Sequence, residues 1–103
     1  MTIKFRSAVC DALLLDKDLP AFAKESSSVV ASDSPMPTHY QEAWLLYNEQ
    51  YPESAITFVP DSAIVARFEA YRSLQSEHED NVVVAENLCR RKYGDTYWCY
   101  YEY

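Results

Sequence analysis

Gly94 is the only glycine among 103 residues, and that scarcity removes more folds than any other property of the chain. Average usage is about 7%. Glycine is the residue that takes positive φ without steric cost, and tight hairpins need such positions again and again. A chain with one glycine is poorly equipped to turn strand after strand back on itself, which argues against an all-β fold. The glycine-rich loops that cradle phosphates are excluded by the same count, because G-x-G-x-x-G and the P-loop each need more than one glycine.

What remains is a helical chain with enough apolar surface to fold. Hydrophobic residues make up 49% and charged residues 24%, which is globular usage. The length supports one hydrophobic core, so residues 1–103 are read as a single domain, or as the C-terminal part of a larger protein. A net charge of −7 disfavours nucleic acid, whose binding rests on lysine and arginine neutralising phosphates. The basic cluster Arg90, Arg91 and Lys92 falls in the last turn of an expected helix, where cations complement the helix dipole.

Three cysteines, Cys10, Cys89 and Cys99, cannot all pair within one chain, and the C-x-x-C spacing is absent. His39 and His78 lie far from each other and from any cysteine at zinc-ligand spacing. No cofactor or metal is therefore expected. Asp11 and Asp16 interrupt the apolar N-terminal run before it reaches signal-peptide length. No stretch approaches the roughly 20 apolar residues of a membrane span. A soluble segment, making no membrane contact of its own, is expected.

Apolar spacing and caps divide the chain into helices. Phe5, Val9, Ala12 and Leu13 share a face of a first helix over 3–16. Asp18 caps a second, with Pro20 in its first turn and Leu19, Phe22, Ala23, Ser26, Val29 and Val30 as its buried stripe. Residues 31–37, with two prolines, form an extended linker. Thr38 and Gln41 fit a capping box ahead of an aromatic stripe of Tyr40, Ala43, Trp44, Tyr47 and Tyr51, with Glu42 and Glu49 pointing elsewhere. A fourth helix starts at Pro60-Asp61-Ser62 with Ile64, Phe68, Tyr71 and Leu74 inward, and the polar run 75–81 reads as a solvated loop. Asp80 or Asn81 caps a fifth, in which Val84, Ala85, Leu88, Cys89 and Lys92 share a face, although Val82-Val83-Val84 favours extended backbone.

The last eleven residues carry six aromatic rings. Gly94 stands where a helix ending at Tyr93 wants a left-handed residue, and Asp95 can cap the segment after it. Read as a helix, the tail lies over the core as a lid. Read as a strand, it needs an edge that the rest of the chain does not offer. One aromatic side chain removes about 150–250 Å² from water, so a docked tail is expected and the helix is preferred.

The expected fold is thus all-α, with five or six short helices in antiparallel pairs, either a tetratricopeptide-like array or a small bundle. The run A-[LW]-L-L occurs at Ala12–Leu15 and again at Ala43–Leu46, 31 residues on, close to the tetratricopeptide period of about 34. A second resemblance covers most of the chain. The stretches DALLLDKDLPAF (11–22), MPTHYQEAWLLY (36–47) and KYGDTYWCYYEY (92–103) resemble the closing segment of a family of uncharacterised bacterial proteins. In that family a multispanning membrane region precedes a soluble helical portion. The resemblance implies the C-terminal part of a larger, membrane-tethered protein and carries no catalytic motif.

The chemistry on offer is sparse. His39 with Glu42 one turn on is the one acid–base pair, and Glu77, His78, Glu79 and Asp80 lack the glycine and alternation of a calcium loop. Nine tyrosines are more than a core of this size hides with every hydroxyl satisfied. Tyr47, Tyr51, Tyr97, Trp98, Tyr100 and Tyr101 are the candidates for a surface that binds an unidentified protein or peptide. Their hydroxyls reaching solvent at the core rim is the competing account. A non-enzymatic interaction or scaffold module is the leading expectation, with a structural end-cap, and then a small enzyme using His39 and a carboxylate, as alternatives.

Overall fold

The computed structural model describes residues 8–30 and 36–103, with 28–30 as backbone alone. Six helices run in order: α1 (Ala8–Leu15), α2 (Leu19–Val30), α3 (Thr38–Gln50), α4 (Ser62–Glu77), α5 (Val82–Tyr93) and α6 (Tyr97–Glu102). No strand occurs among the described residues. Val82–Val84 open α5 despite their β-branching, because Asn81 caps the turn by accepting the Val84 N–H at 3.2 Å. Phe5 and most of the linker lie outside the described residues, as do the side chains of Val29 and Val30.

Helix α3 is the axle of the molecule, packing against α2, α4 and α6. Helices α1 and α2 pack together, as do α4 with α5 and α5 with α6. Because α6 meets α3 as well as α5, the chain closes into a small bundle. The aromatic stripe of α3 is buried as its spacing implies, with Tyr40, Ala43, Trp44 and Tyr47 all inside. Phe22 of α2 meets Tyr40 and Trp44 edge to face, at ring centroids 5.5 and 6.1 Å apart. The tail docks as a lid whose anchor is Trp98, fully buried against Phe68 and Tyr71 of α4.

Several local expectations are corrected. Thr38 is the first residue of α3 and not its cap; Pro37 holds that place, and no side chain caps the turn. Gln41 instead spans two connections, its amide donating to the Met36 carbonyl at 2.9 Å and its oxygen accepting the Asp61 N–H at 2.8 Å. Helix α4 runs on through Glu77, because Gln75 is held by Arg72, Glu102 and Tyr103 and is no loop residue. Thr96, not Asp95, caps α6, accepting the Cys99 N–H at 3.2 Å. Asp95 turns outward to Arg67.

Gly94 has φ −64° and is right-handed, so its role is not the left-handed cap. A Cβ there would press into the Arg90 carbonyl oxygen, well inside van der Waals contact. The position needs glycine for close approach. The left-handed residue is Lys17, at φ 59°. It ends α1 in a Schellman motif: Lys17 N–H donates to the Leu14 carbonyl at 3.1 Å and Asp18 N–H to that of Leu13 at 2.9 Å.

Two faces also differ from expectation. In α1 the buried residues are Cys10 and Leu14, while Val9 and Ala12 face out. The helix is apolar around most of its circumference, so period alone does not choose the inward side. In α5, Ala85 and Cys89 are buried but Val84 is exposed. The connection 51–61 has no regular structure and is held to α3 by side chains. Asn48 donates to the Phe58 carbonyl at 2.9 Å, and the Tyr47 and Ser54 hydroxyls meet at 2.7 Å.

Candidate functional site

A cavity of about 460 Å³ opens between α1, α3 and the start of α6. Leu14 and Leu15 come from α1, Tyr40 and His39 from α3, and Tyr97 and Tyr100 from α6. Two carboxylates complete its polar edge, Asp11 on α1 and Asp95 just before α6. The last turn of α1 and the first turns of α3 and α6 meet here because α6 is docked on α3 beside α1.

The junction of α3 and α6 is built on Glu42, which is 2% exposed. A helix interior is an unfavourable place to bury a carboxylate unless it is fully engaged. Its Oε1 accepts the Tyr97 N–H at 2.8 Å and lies 2.7 Å from Nδ1 of His39. Its main-chain carbonyl accepts the Trp98 indole N–H at 2.9 Å. The negative charge thus sits at the first amide of α6, where a free N–H and the helix dipole both favour it. The His39 ring, whose Nδ1 faces Glu42, is largely exposed at the cavity edge.

Three tyrosine hydroxyls at the cavity are engaged by the protein. Tyr40 donates to Asp11 at 2.6 Å, Tyr97 to the Leu14 carbonyl at 2.7 Å and Tyr100 to the Leu15 carbonyl at 2.7 Å. The Leu15 carbonyl is one that the end of α1 leaves without a helical partner, and the Leu14 carbonyl takes the Tyr97 proton beside the Lys17 N–H, so α6 ties down the C-terminus of α1 from across the cavity. Burial, and then the neighbouring Tyr100 and Tyr101, push the Tyr97 hydroxyl above the ordinary phenol range. The Arg67 hydrogen bond holds the Asp95 carboxyl below its usual value.

The six aromatic candidates separate in space. Tyr47, Tyr97 and Trp98 are buried, and Trp98 offers no surface to a partner. Tyr51 and Tyr100 are exposed, at 42% and 45%. Tyr51 packs at a tilt against Tyr47, ring centroids 4.9 Å apart, and Tyr101 takes a hydrogen bond from Gln50 at 3.3 Å. Only Tyr97 and Tyr100 line the cavity. Sequence reasoning missed Asp11, Leu15 and Asp95; no local pattern marks them, since Asp95 reaches the two α1 residues only through the packing of the tail.

Burial raises the thiols of Cys89 and Cys99, and Cys10 is buried too. Among the described residues, no three His, Cys, Asp or Glu side chains converge to hold a metal ion. Nor, among those residues, is any helix long and apolar enough to cross a membrane.

A family model described as a family of unknown function, DUF6057, matches residues 9–103. The chain belongs to that family. No curated protein and no solved structure matches it. The matched stretch spans every helix of the bundle but for the first residue of α1. Cavity and lid therefore both lie inside the DUF6057 unit.

Proposed function

We propose that this DUF6057 chain is a non-enzymatic interaction module that docks a short segment of a partner polypeptide in the α1/α3/α6 cavity. The observation that carries this reading is the cavity itself. Exposed Leu15 and Tyr100, 67% and 45% accessible, flank a concave site lined by buried Leu14, Tyr40 and Tyr97. Exposed apolar groups at the mouth of a concavity, with rings as walls, are what peptide-binding sites use to bury a side chain.

A peptide array probed with the 103-residue chain tests the reading. Binding peptides should be found, and Leu15→Glu should abolish their binding without altering the helical melt. Val59→Glu and Val83→Glu, at exposed positions outside the cavity lining, should leave binding intact. Loss through the valine changes alone, or no binding peptide at all, overturns it.

One observation favours a second reading, general-base chemistry: the 2.7 Å contact between buried Glu42 and exposed His39, which orients an imidazole as hydrolases do. The cavity lining holds no serine or cysteine, and the Thr96 hydroxyl is engaged with the Tyr93 carbonyl at 2.6 Å. Hydrolysis of nitrophenyl esters that disappears in His39→Gln would favour this reading over docking.

A further inference from the structure

We infer that α3 and the 51–61 connection enclose a binding site for one water molecule, held by the Trp44 indole N–H, the Asn48 side-chain oxygen and the Phe58 carbonyl. The observation behind it is a pair of buried polar atoms, far from the α1/α3/α6 cavity lining. Trp44 is wholly buried. Among the described residues, its Nε1 and the Oδ1 of Asn48 are the buried side-chain atoms that meet no hydrogen-bonding group of the protein. Native structures leave few buried polar atoms in that condition, and bound water is a standard partner for them.

The two atoms belong to one face of α3. Trp44 and Asn48 are four residues apart, which sets their side chains one above the other, and both reach Phe58. The Trp44 and Phe58 ring centroids are 5.9 Å apart, and the Asn48 amide donates to the Phe58 carbonyl at 2.9 Å. That second contact fixes which end of the amide is free. Reversing the amide would set the Asn48 oxygen against the Phe58 oxygen, two acceptors with no proton between them. One donor and one acceptor are therefore left over, beside a carbonyl with a second lone pair.

These three groups select the ligand. It must accept from Trp44 and donate to Asn48. Water gives a lone pair to the indole, one proton to Asn48 and the other to Phe58, which is about the three bonds that a buried water makes. A metal cation would be opposed by the indole N–H, and an anion by the two oxygens. Bound there, the water is a third tie between the irregular connection and α3, beside the Asn48 bond to Phe58 and the contact of the Tyr47 and Ser54 hydroxyls.

The test is a water-selective NOE measurement on the full chain, labelled with nitrogen-15 and read at the indole N–H signals. The chain has two tryptophans, and Trp98, whose indole donates to the Glu42 carbonyl at 2.9 Å, is the internal control. Trp44 should show a cross-peak to water with the sign of a long-lived contact, and Trp98 should show none. Oxygen-17 relaxation dispersion, which hydroxyl protons do not affect, should count one long-lived water fewer in Asn48→Leu than in the parent. Should that variant unfold, the parent cross-peaks decide by themselves. A Trp44 indole with no water cross-peak, as a direct bond to Asn48 or an N–H aimed at a ring would give, overturns the site. So does an equal cross-peak at Trp98, or an unchanged water count in folded Asn48→Leu.

Discussion

Glu42 and Tyr97, 55 positions apart in the chain, are joined by a 2.8 Å hydrogen bond from the Tyr97 N–H to the Glu42 carboxylate. That bond seats the lid. It places a buried negative charge at the first amide of α6, and the same residue's carbonyl fixes the Trp98 indole. A six-residue helix is far too short to persist alone in water, so its existence depends on such contacts.

Glu42→Ala should therefore cost about 2–4 kcal/mol. A buried donor left without an acceptor contributes roughly 1–3 kcal/mol of that, and lost packing adds to it. Glu42→Gln keeps an acceptor oxygen and should cost roughly half as much. Urea unfolding followed by tryptophan fluorescence checks both. An alanine variant as stable as the parent would show that the lid is seated by its rings alone.

Arg72 joins three helices, donating to Glu49 of α3 and Glu102 of α6 from its place on α4. Its guanidinium also lies 4.9 Å from the centre of the Phe68 ring. Lysine keeps the charge but loses the planar fork, so Arg72→Lys should destabilise by about 1–2 kcal/mol. The side chain is 29% exposed, so water and salt already screen it, and the difference should shrink in molar salt. A loss unchanged by salt would locate the contribution in stacking.

Lys17 tests a backbone term. At φ 59° any Cβ is disfavoured, by about 1–2 kcal/mol. Lys17→Ala and Lys17→Gly both delete the contact with the Tyr100 ring, and only glycine relieves the strain. The glycine variant should be more stable than the alanine variant by about 1 kcal/mol, a difference of roughly 4–8 °C in Tm for a domain near this size. Equal melting temperatures would mean that the turn relaxes.

Alkaline pH should unfold the protein through two phenols. Burial raises the hydroxyls of Tyr71 and Tyr97, the first helped by its hydrogen bond to Glu102. Their folded values lie above the ordinary value of about 10, so the native state favours the protonated form. Stability from these groups is intact below that pH and declines as pH rises past it, because unfolded phenols ionise first. In an absorbance titration at the tyrosinate band, at least two of the nine tyrosines should ionise only as helical circular dichroism is lost. All nine ionising with the helices intact would contradict this.

The helices of this chain were legible because their causes are local. The spacing of Leu19, Phe22, Ala23 and Ser26 marks a stripe that is buried throughout, and Asn81 caps α5 as its position implies. Thr38-x-x-Gln41 carried the strongest start pattern and misled, because Gln41 finds better partners in Met36 and Asp61. Of the aromatic candidates, spacing could not separate Trp98, a core residue, from Tyr100, an exposed one, since both belong to one short helical turn.

The sequence by itself determined an all-helical chain: one glycine, regular apolar periods and a tail too aromatic to leave in water. Tertiary structure decided which side of α1 faces inward, what caps α6 and where the cavity opens. Those choices rest on hydrogen bonds spanning 29, 55, 83 and 85 positions. A helix reads its own neighbours three and four residues away, whereas a buried hydroxyl or carboxylate takes whatever acceptor or donor the packed bundle brings to it.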